Sequence, residues 1–435
     1  MSDPKALIRA LGAAAPPTGG FLSSIRGLLA EADGLELPVG GLAEIETGSG
    51  FSPAEVVGFR SGHVQLVPLH ACRGLEAGCR VWPLSRAAGV PAGEFLLGRT
   101  VDAMGQPLDG GPPFPPAARV PLYREPIAAL ERPVLEEPLD VGVRAINAAA
   151  TVARGQRMGL FAGTGVGKST LLGMMLRGTD ADVRVLALIG ERGREVREFI
   201  ERELGEARQS TVVVAVPSDR SPLLRMRGAY VATAIAEHFR ERGRDVLLLM
   251  DSITRFAFAA REIGLARGEP ATTKGYTPSV FAELPALTER AGRLERGSVT
   301  AIYSVLVEGD DLEDPVADAM RGLLDGHIIL SRDLAERAQF PAVDVLGSIS
   351  RAMISVTDLR HRELAQQMRR LLAAYRDAED LIQVGAYAQG SDPVVDEAIR
   401  RRTRLQDFLR QDAHERASMT QTLSELECVL TEPIQ

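Results

Sequence analysis

The sequence predicts an α/β protein built from three parts: a small N-terminal β-barrel, a central domain with a parallel sheet, and a C-terminal helical domain. Short apolar runs punctuated by glycine and proline fill residues 35–84. Buried-strand runs then alternate with segments of helix length, and from about residue 355 strand-forming runs almost disappear. With 435 residues the chain exceeds one ordinary core, so two or three domains are expected.

The barrel prediction depends on short alternating runs at residues 42–45, 55–57 and 63–67. We assign the barrel to residues 21–92. Residues 1–20 precede it and end in a stretch of small and turn-forming residues. We therefore expect this segment to be a mobile tail that docks a partner.

The central domain is assigned to residues 93–350, including a proline-rich connector at 106–138. Apolar runs at 183–189, 211–216 and 246–250 indicate buried strands separated by helices, which is the pattern of a parallel sheet. Residues 351–435 form the predicted helical domain. Its arginine-rich stretch 400–404 could contact anionic lipid or nucleic acid, but a solvated helix face is the favoured interpretation, with Leu405, Phe408 and Leu409 packed beneath it.

Composition narrows the class of protein. Hydrophobic residues make up 45% of the chain and charged residues 25%, as in globular proteins, and the net charge of −8 argues against nucleic acid as the main partner. Three cysteines give no disulfide framework, and neither a secretory signal nor a run long enough to span a bilayer is present. These features predict a cytoplasmic protein.

The strongest local signal is Ala162-Gly-Thr-Gly-Val-Gly-Lys-Ser169, between a strand-like run at 157–161 and a helix-like run at 170–176. Its glycines let backbone N–H groups surround a phosphate, while Lys168 adds charge and Ser169 offers Mg²⁺ a hydroxyl. The following helix points its positive end at the phosphates. This P-loop predicts ATP and Mg²⁺ binding. The expected nucleotide contacts are Gly163, Thr164, Gly165, Val166, Gly167, Lys168, Ser169 and Thr170.

Two carboxylates follow predicted strands of the same sheet. Asp251 ends the run 246–250, where it can orient Mg²⁺ through water, although an aspartate there can also be merely a helix cap. Glu191 follows the strand ending at Ile189 and is the best candidate to activate the attacking water. From its pattern alone, an exposed charged helix start remains an alternative for Glu191.

Taken in order, the P-loop, Gly190-Glu-Arg-Gly-Arg-Glu195 and Leu247-Leu-Leu-Met-Asp-Ser-Ile-Thr-Arg-Phe256 resemble the catalytic subunits of the rotary ATP synthase superfamily. Within it, the chain is similar to the ATPases of type III protein export. Further matching segments lie at 141–147, 221–226, 274–281, 307–311 and 324–332. The resemblance runs from about residue 34 to the C-terminal region. It implies a RecA-like P-loop domain that hydrolyses ATP to ADP and phosphate, coupled to protein export.

The resemblance also implies residue roles. Glu191 corresponds to the glutamate that polarises water, and non-catalytic subunits carry glutamine there. Arg192 corresponds to a residue near the γ-phosphate, and Glu195 to a second acid near the water shell of the metal. Phe340 corresponds to an aromatic residue, often tyrosine, that stacks on adenine. Arg351 corresponds to an arginine finger that enters the neighbouring subunit's site, where its guanidinium stabilises the transition state.

The export branch and the partners follow from the same resemblance. The segments 273–276, 331–332 and 385–387 favour the flagellar branch, with the virulence (injectisome) secretion ATPase as the alternative. A hexameric ATPase that translocates RNA or DNA is a further alternative, disfavoured by the acidic charge and by a barrel without interleaved basic and aromatic residues. Implied partners are further copies in a hexameric ring, a stator-like regulatory protein at the N-terminus, a central coiled-coil stalk, chaperone–substrate complexes and, indirectly, the membrane export gate. The implied location is cytoplasmic, peripheral to the inner membrane.

Overall fold

The computed structural model describes residues 19–48, 50–70, 73–116, 118–307 and 313–432. Most of the predicted N-terminal tail, residues 1–18, and the matching positions 308–311 therefore lie outside the described residues. The N-terminal strands are β1 (Gly20–Arg26), β2 (Leu29–Asp33), β3 (Leu42–Thr47), β4 (Gly50–Arg60), β5 (His63–Pro68) and β6 (Arg80–Ser85). They close into an antiparallel barrel in the order β1-β2-β5-β4-β3-β6. The predicted barrel is confirmed, and the three predicted runs lie in β3, β4 and β5.

A mixed segment leads from the barrel to the large sheet. Its strands are β7 (Gly89–Pro91), β8 (Thr100–Val101), β9 (Arg119–Pro121), β10 (Pro138–Leu139) and β11 (Val152–Ala153). Strand β7 pairs with β9 and β10 pairs with β11, while β8 joins the edge of the large sheet. The proline-rich connector thus holds short pieces of structure between extended stretches.

The large sheet is the predicted parallel sheet. Its further strands are β12 (Arg157–Ala162), β13 (Val183–Ile189), β14 (Thr211–Val216), β15 (Asp245–Asp251), β16 (Gly292–Arg293), β17 (Ser298–Leu306), β18 (Gly326–Ile329) and β19 (Ile349–Ser350). The order is β19-β18-β12-β17-β15-β13-β14-β8, with β16 on β17. Strands β18, β12, β17, β15, β13, β14 and β8 run parallel, whereas β19 and β16 are antiparallel to their neighbours.

Helices cover both faces of this sheet. They are α1 (Arg144–Ala149), α2 (Lys168–Gly178), α3 (Gly193–Glu198), α4 (Pro222–Arg240), α5 (Ile253–Ala266), α6 (Pro278–Thr288), α7 (Pro315–Leu323) and α8 (Arg332–Glu336). Alternate residues of β13 face opposite layers, because side chains alternate along a strand: Val185 packs with α4 and α5, and Leu186 with α1 and α2. Burial on both faces explains the continuous apolar runs of these strands.

The C-terminal helices are α9 (Met353–Val356), α10 (Leu359–Gln383), α11 (Pro393–Leu409) and α12 (Met419–Thr431). They share a core with α2 through residues such as Met368 and Leu405. Leu405 and its neighbours Phe408 and Leu409 are buried, as predicted. The arginines above them are less solvated than expected. Arg401 donates to Glu397, and the Arg402 guanidinium lies 4.0 Å from the ring centre of Tyr375.

A buried ion pair joins the barrel to the large sheet domain. Glu55 on β4 accepts from Arg227 on α4 at 2.6 Å and from the Tyr123 hydroxyl at 2.5 Å. Arg227 also donates to the Ala103 carbonyl at 3.0 Å. Burial raises the pKa of Glu55, and the positive charge of Arg227 opposes that rise. The carboxylate therefore depends on Arg227 to remain charged between the two domains.

Arg227→Ala is expected to lower the free energy of unfolding by about 3–5 kcal/mol, because it leaves Glu55 buried without its cation. Urea unfolding followed by circular dichroism measures this change. Since burial already raises the pKa of Glu55, the loss should shrink as the pH falls and Glu55 takes up a proton.

The matched control is Arg197→Ala, which removes an exposed pair with Glu201 within one helical turn. Exposed pairs of this kind contribute little to stability, because water and salt screen them. If both variants lose the same stability, the Glu55–Arg227 pair does not hold the two domains together as described.

Candidate nucleotide site

The P-loop lies between β12 and α2, as the sequence predicts. Gly165 and Gly167 have φ angles of 80° and 91°, in the left-handed region that favours glycine. Gly167 caps α2, so the first backbone N–H groups of an eleven-residue helix face the loop. Val166 is buried and anchors the loop, whereas Thr164, Gly165 and Ser169 are exposed to solvent. The loop therefore presents donors and a hydroxyl to a ligand.

Lys168 and Asp251 form an ion pair at the base of the loop. Their side chains are only 12% and 4% exposed, so little water screens the pair. Asp251 ends β15, which is separated from the P-loop strand β12 by β17. Ser304 on β17 donates to the same Asp251 oxygen, Oδ1, at 2.5 Å. The structure thus brings Asp251 into contact with Lys168 of the P-loop.

Glu191 lies just beyond the end of β13. The charges of Lys168 and Asp251 are close enough to affect its pKa. Burial raises the pKa of Glu191 to about 7, the charge of Asp251 and contact with Glu195 add to the rise, and Lys168 and Arg255 oppose it. Among the described residues no donor reaches Glu191 Oε1, although that atom is buried. A buried carboxylate oxygen without a partner is rare and calls for an explanation, such as a bound water.

Arg255 is a site residue that the sequence reasoning did not single out. It lies on the first turn of α5, four residues after Asp251, and its stem packs against Gly190. A Cβ at Gly190 would lie 2.7 Å from Arg255 Cβ, and the φ of 70° there also requires glycine. Its place in the first helical turn after the strand that ends in Asp251 was a usable signal. Arg255 lines a cavity of about 700 Å³ that reaches Thr164 of the P-loop.

Arg192 and Glu195 lie close to Glu191 in sequence but differ in solvent exposure and in their contact with it. They pair with each other at 3.6 Å, and their side chains are 83% and 43% exposed. Glu195 contacts Glu191, whereas Arg192 extends into solvent. In this single chain the structure therefore does not bring Arg192 to the Lys168–Asp251 pair.

Phe340 reaches the P-loop from a distant part of the chain. A Cβ built on Gly167 would lie 3.4 Å from the Phe340 ring, so the ring packs against this part of the loop. The ring is 46% exposed, and its backbone carbonyl accepts from the Gln411 N–H at 3.0 Å. An exposed aromatic face beside the phosphate loop is available to stack on a purine base.

Arg351 lies near the end of the sheet where the parallel strands begin, whereas the P-loop lies at the end where they finish. Its N–H donates to the Asp325 carbonyl, and the Asp325 N–H donates to the carbonyl of Arg157, the first residue of β12. The P-loop follows the other end of this six-residue strand, about 20 Å away. One side chain cannot cover that distance. Arg351 is exposed, and so are the apolar side chains Ile349, Ile354 and Leu359, which are near it in sequence.

The donors at the site fit Mg²⁺ bound together with a nucleotide. Within the described ranges, no three His, Cys, Asp or Glu side chains lie close enough to hold a metal by themselves. The chain instead offers the exposed Ser169 hydroxyl and the Asp251 carboxylate. Mg²⁺ commonly takes one or two protein oxygens and completes its shell with phosphate oxygens and water. In the part of the chain that is described, no helix is long and apolar enough to cross a membrane.

Comparison with known proteins identifies two matching family models. Residues 142–350 match the nucleotide-binding domain of the ATP synthase alpha/beta family, and residues 357–428 match the T3SS EscN ATPase C-terminal domain. Among solved structures, the assembled ATPase EscN of the enteropathogenic E. coli type III secretion system superposes with a TM-score of 0.90 at 43% identity, covering 95% of this chain and all of that one. EscN in complex with its central stalk EscO gives 0.88 at 42% identity, with the same coverage.

Curated relatives agree. The flagellum-specific ATP synthase of Pseudomonas aeruginosa is 50% identical over 424 residues, covering 96% of this chain and 94% of that protein. The flagellum-specific ATP synthase of Salmonella typhimurium is 51% identical over 424 residues, with 94% and 93% covered. The type 3 secretion system ATPase of Xanthomonas euvesicatoria is 48% identical over 413 residues, with 94% and 93% covered. The chain therefore belongs to the ATP synthase alpha/beta family, in the branch formed by flagellum-specific ATP synthases and type 3 secretion system ATPases.

Proposed function

We propose that this chain is the ATPase of a flagellar type III protein export apparatus, which uses ATP hydrolysis for chaperone release, unfolding and export of substrates. Membership of the family makes it an ATPase, and the flagellum-specific relatives at about half identity support the flagellar system. The virulence secretion ATPase is the second candidate, because the Xanthomonas euvesicatoria relative is nearly as similar.

The observation that carries the hydrolytic role is the unpartnered, buried oxygen of Glu191 beside the Lys168–Asp251 pair. Lys168 leaves Asp251 and binds the β- and γ-phosphates, which the P-loop N–H groups also contact. Ser169 and Asp251 would hold Mg²⁺, Asp251 through water and with Glu195 as a second acid nearby, and the ion would supply positive charge to the phosphates. Glu191 polarises the attacking water.

The remaining site residues complete the nucleotide contacts. Phe340 stacks on the adenine, since its exposed ring adjoins the end of the P-loop. Arg192 is free in this chain to turn toward the γ-phosphate, because its side chain is held by one long contact with Glu195. Both roles follow the family pattern and are supported by these placements.

Arg351 acts in the site of a neighbouring copy. It lies at the end of its own sheet opposite the P-loop, is exposed, and has exposed apolar residues near it in sequence that a neighbour would cover. The relative EscN has been described as an assembled ATPase and in complex with a central stalk. We accordingly place this chain in a homo-oligomeric, hexameric ring with a central stalk.

The other partners follow from the same proposal. A stator-like regulatory protein binds at the N-terminus, chaperone–substrate complexes are the cargo, and the membrane export gate is reached indirectly. The ring works in the cytoplasm, peripheral to the inner membrane, and nucleic acid is not a partner.

The flagellar assignment predicts restored motility. Expression of this chain in a Salmonella typhimurium strain that lacks its own flagellum-specific ATP synthase should restore swimming in soft agar. Lys168→Ala, expressed at the same level, is the inactive control. Rescue of a virulence secretion mutant but not of the flagellar mutant would support the second candidate instead.

Glu191→Gln should bind ATP nearly as tightly as the unmodified protein and lose most hydrolysis, because the change keeps the shape and removes the charge that polarises water. In the unmodified protein, kcat/KM should rise with pH through about 7, since Glu191 is active when deprotonated and its pKa in the nucleotide-free protein is raised to about 7. Steady-state rates across pH, together with calorimetric ATP binding, measure both effects.

Lys168→Ala is the contrasting variant, and it should weaken ATP binding itself because the lysine contacts the phosphates of the bound substrate. Equal kcat in Glu191→Gln and the unmodified protein would refute the role of Glu191. An unchanged nucleotide dissociation constant in Lys168→Ala would refute the phosphate cradle.

Arg351→Ala should still bind ATP and assemble, but lose about 10³-fold or more in rate, as loss of an arginine finger does. If Arg351 acts in the neighbouring site, mixing Arg351→Ala with Glu191→Gln should restore part of the activity. Some interfaces of a mixed ring then join an intact Glu191 to an intact Arg351. ATPase rates of the mixture, compared with each variant alone, measure this recovery.

Two variants serve as controls for the mixing experiment. Arg351→Lys keeps the charge but not the forked guanidinium, and should stay strongly impaired. Arg360→Ala removes a nearby exposed arginine that pairs within its own chain with Glu427, and should stay active. Mixed rings that form without any recovery would exclude action in the neighbouring site.

A further inference from the structure

Ser304 is a buried hydroxyl in an otherwise apolar part of the central strand β17. Its side chain is fully buried, and its register partner on β12 is Leu160. On the other side of β17, Tyr303 pairs with Met250, the residue before Asp251. The Ser304 hydroxyl donates to Asp251 Oδ1 at 2.5 Å. A buried hydroxyl needs a partner, and here the partner is the carboxylate at the centre of the nucleotide site.

Asp251 Oδ1 receives two donors, because Lys168 Nζ contacts the same oxygen. In the described part of the chain, no hydrogen bond to this carboxylate ends on Oδ2. In the proposed function, the single ammonium group of Lys168 moves from Asp251 toward the nucleotide phosphates. When it moves, the almost fully buried Asp251 keeps only the Ser304 hydroxyl as a donor from the chain. Without that donor, and with no Mg²⁺ bound, the carboxylate would be left buried and unpartnered.

We propose that Ser304 is a positioning residue. By donating to Asp251, its hydroxyl allows Lys168 to move from Asp251 to the nucleotide phosphates. The hydroxyl donates to Asp251 before and after the lysine leaves. The carboxylate therefore keeps one hydrogen-bond donor when the nucleotide is bound. The inference rests on the proposed function, in which Lys168 binds phosphate. Ser304 itself touches neither the nucleotide nor the reacting atoms.

The test uses the affinity for ADP in EDTA, without any divalent cation, measured by calorimetry on the full chain. Ser304→Val removes the hydroxyl and should weaken metal-free ADP binding about tenfold, the scale of a hydrogen bond to a charged group. Ser304→Thr has nearly the same shape as the valine variant but keeps the hydroxyl, and should bind as the unmodified protein does. Equal affinities for the valine and threonine variants would overturn the proposal.

A double-mutant cycle shows whether the effect passes through Asp251. In an Asp251→Asn background Lys168 is no longer held by a charge, so Ser304→Val should change ADP affinity by less than about twofold. An undiminished tenfold loss in that background would also overturn the proposal, because Ser304 would then act through general packing.

Two further variants keep the result interpretable. Thr300→Val removes a buried hydroxyl from the other end of β17, where it accepts from the Gly155 N–H, and should leave ADP affinity unchanged. If Ser304→Val lowers the thermal unfolding midpoint, Ser304→Ala gives the same comparison without added volume. Failure of the proposed function is separable, since Lys168→Ala would then leave ADP affinity unchanged in the unmodified background.

Discussion

The parallel register of the central sheet is the constraint on which the site depends. Parallel strands all end at one edge, so the order β12-β17-β15-β13 brings the P-loop, Asp251 and Glu191 together although long helices separate them in sequence. The assembled charges are partly buried and therefore interact strongly. Lys168 neutralises Asp251, and both charges act on the pKa of Glu191. A change in Lys168 or Asp251 is therefore expected to alter the pKa of Glu191.

Features that depend on local sequence were predictable. The glycine spacing and the Lys-Ser pair define the P-loop without tertiary information, and a strand followed by an acid locates Asp251 and Glu191. The barrel strands and the C-terminal helices also follow from local alternation and helical spacing, and the structure confirms both. The raised pKa of Glu191 was not predictable, because it arises from burial and from neighbours on other strands.

Features set by strand order could not be predicted. Strand β17 carries Ser298, Thr300 and Ser304 among its apolar residues, so it lacks the uniform apolar character of β13 or β14. Each of the three hydroxyl residues is buried and contacts a partner distant in sequence. The contact of Ser304 with Asp251 exists only because β17 lies between β12 and β15. The exposure of Arg192, likewise, depends on how the folded chain packs and cannot be derived from the sequence motif.

The position of Arg351 has a consequence for partly built assemblies. Each copy carries the P-loop at one end of its parallel strands and this arginine at the other. In the proposed arrangement, in which Arg351 acts in the neighbouring site, a complete site exists only where two copies meet. An open arc of copies then has one fewer complete site than it has chains, and closure of the arc adds the last one. A free copy contributes to no complete site at all. Unassembled chains in the cell would consequently consume almost no ATP, and hydrolysis would be confined to places where the ring is being built or is closed.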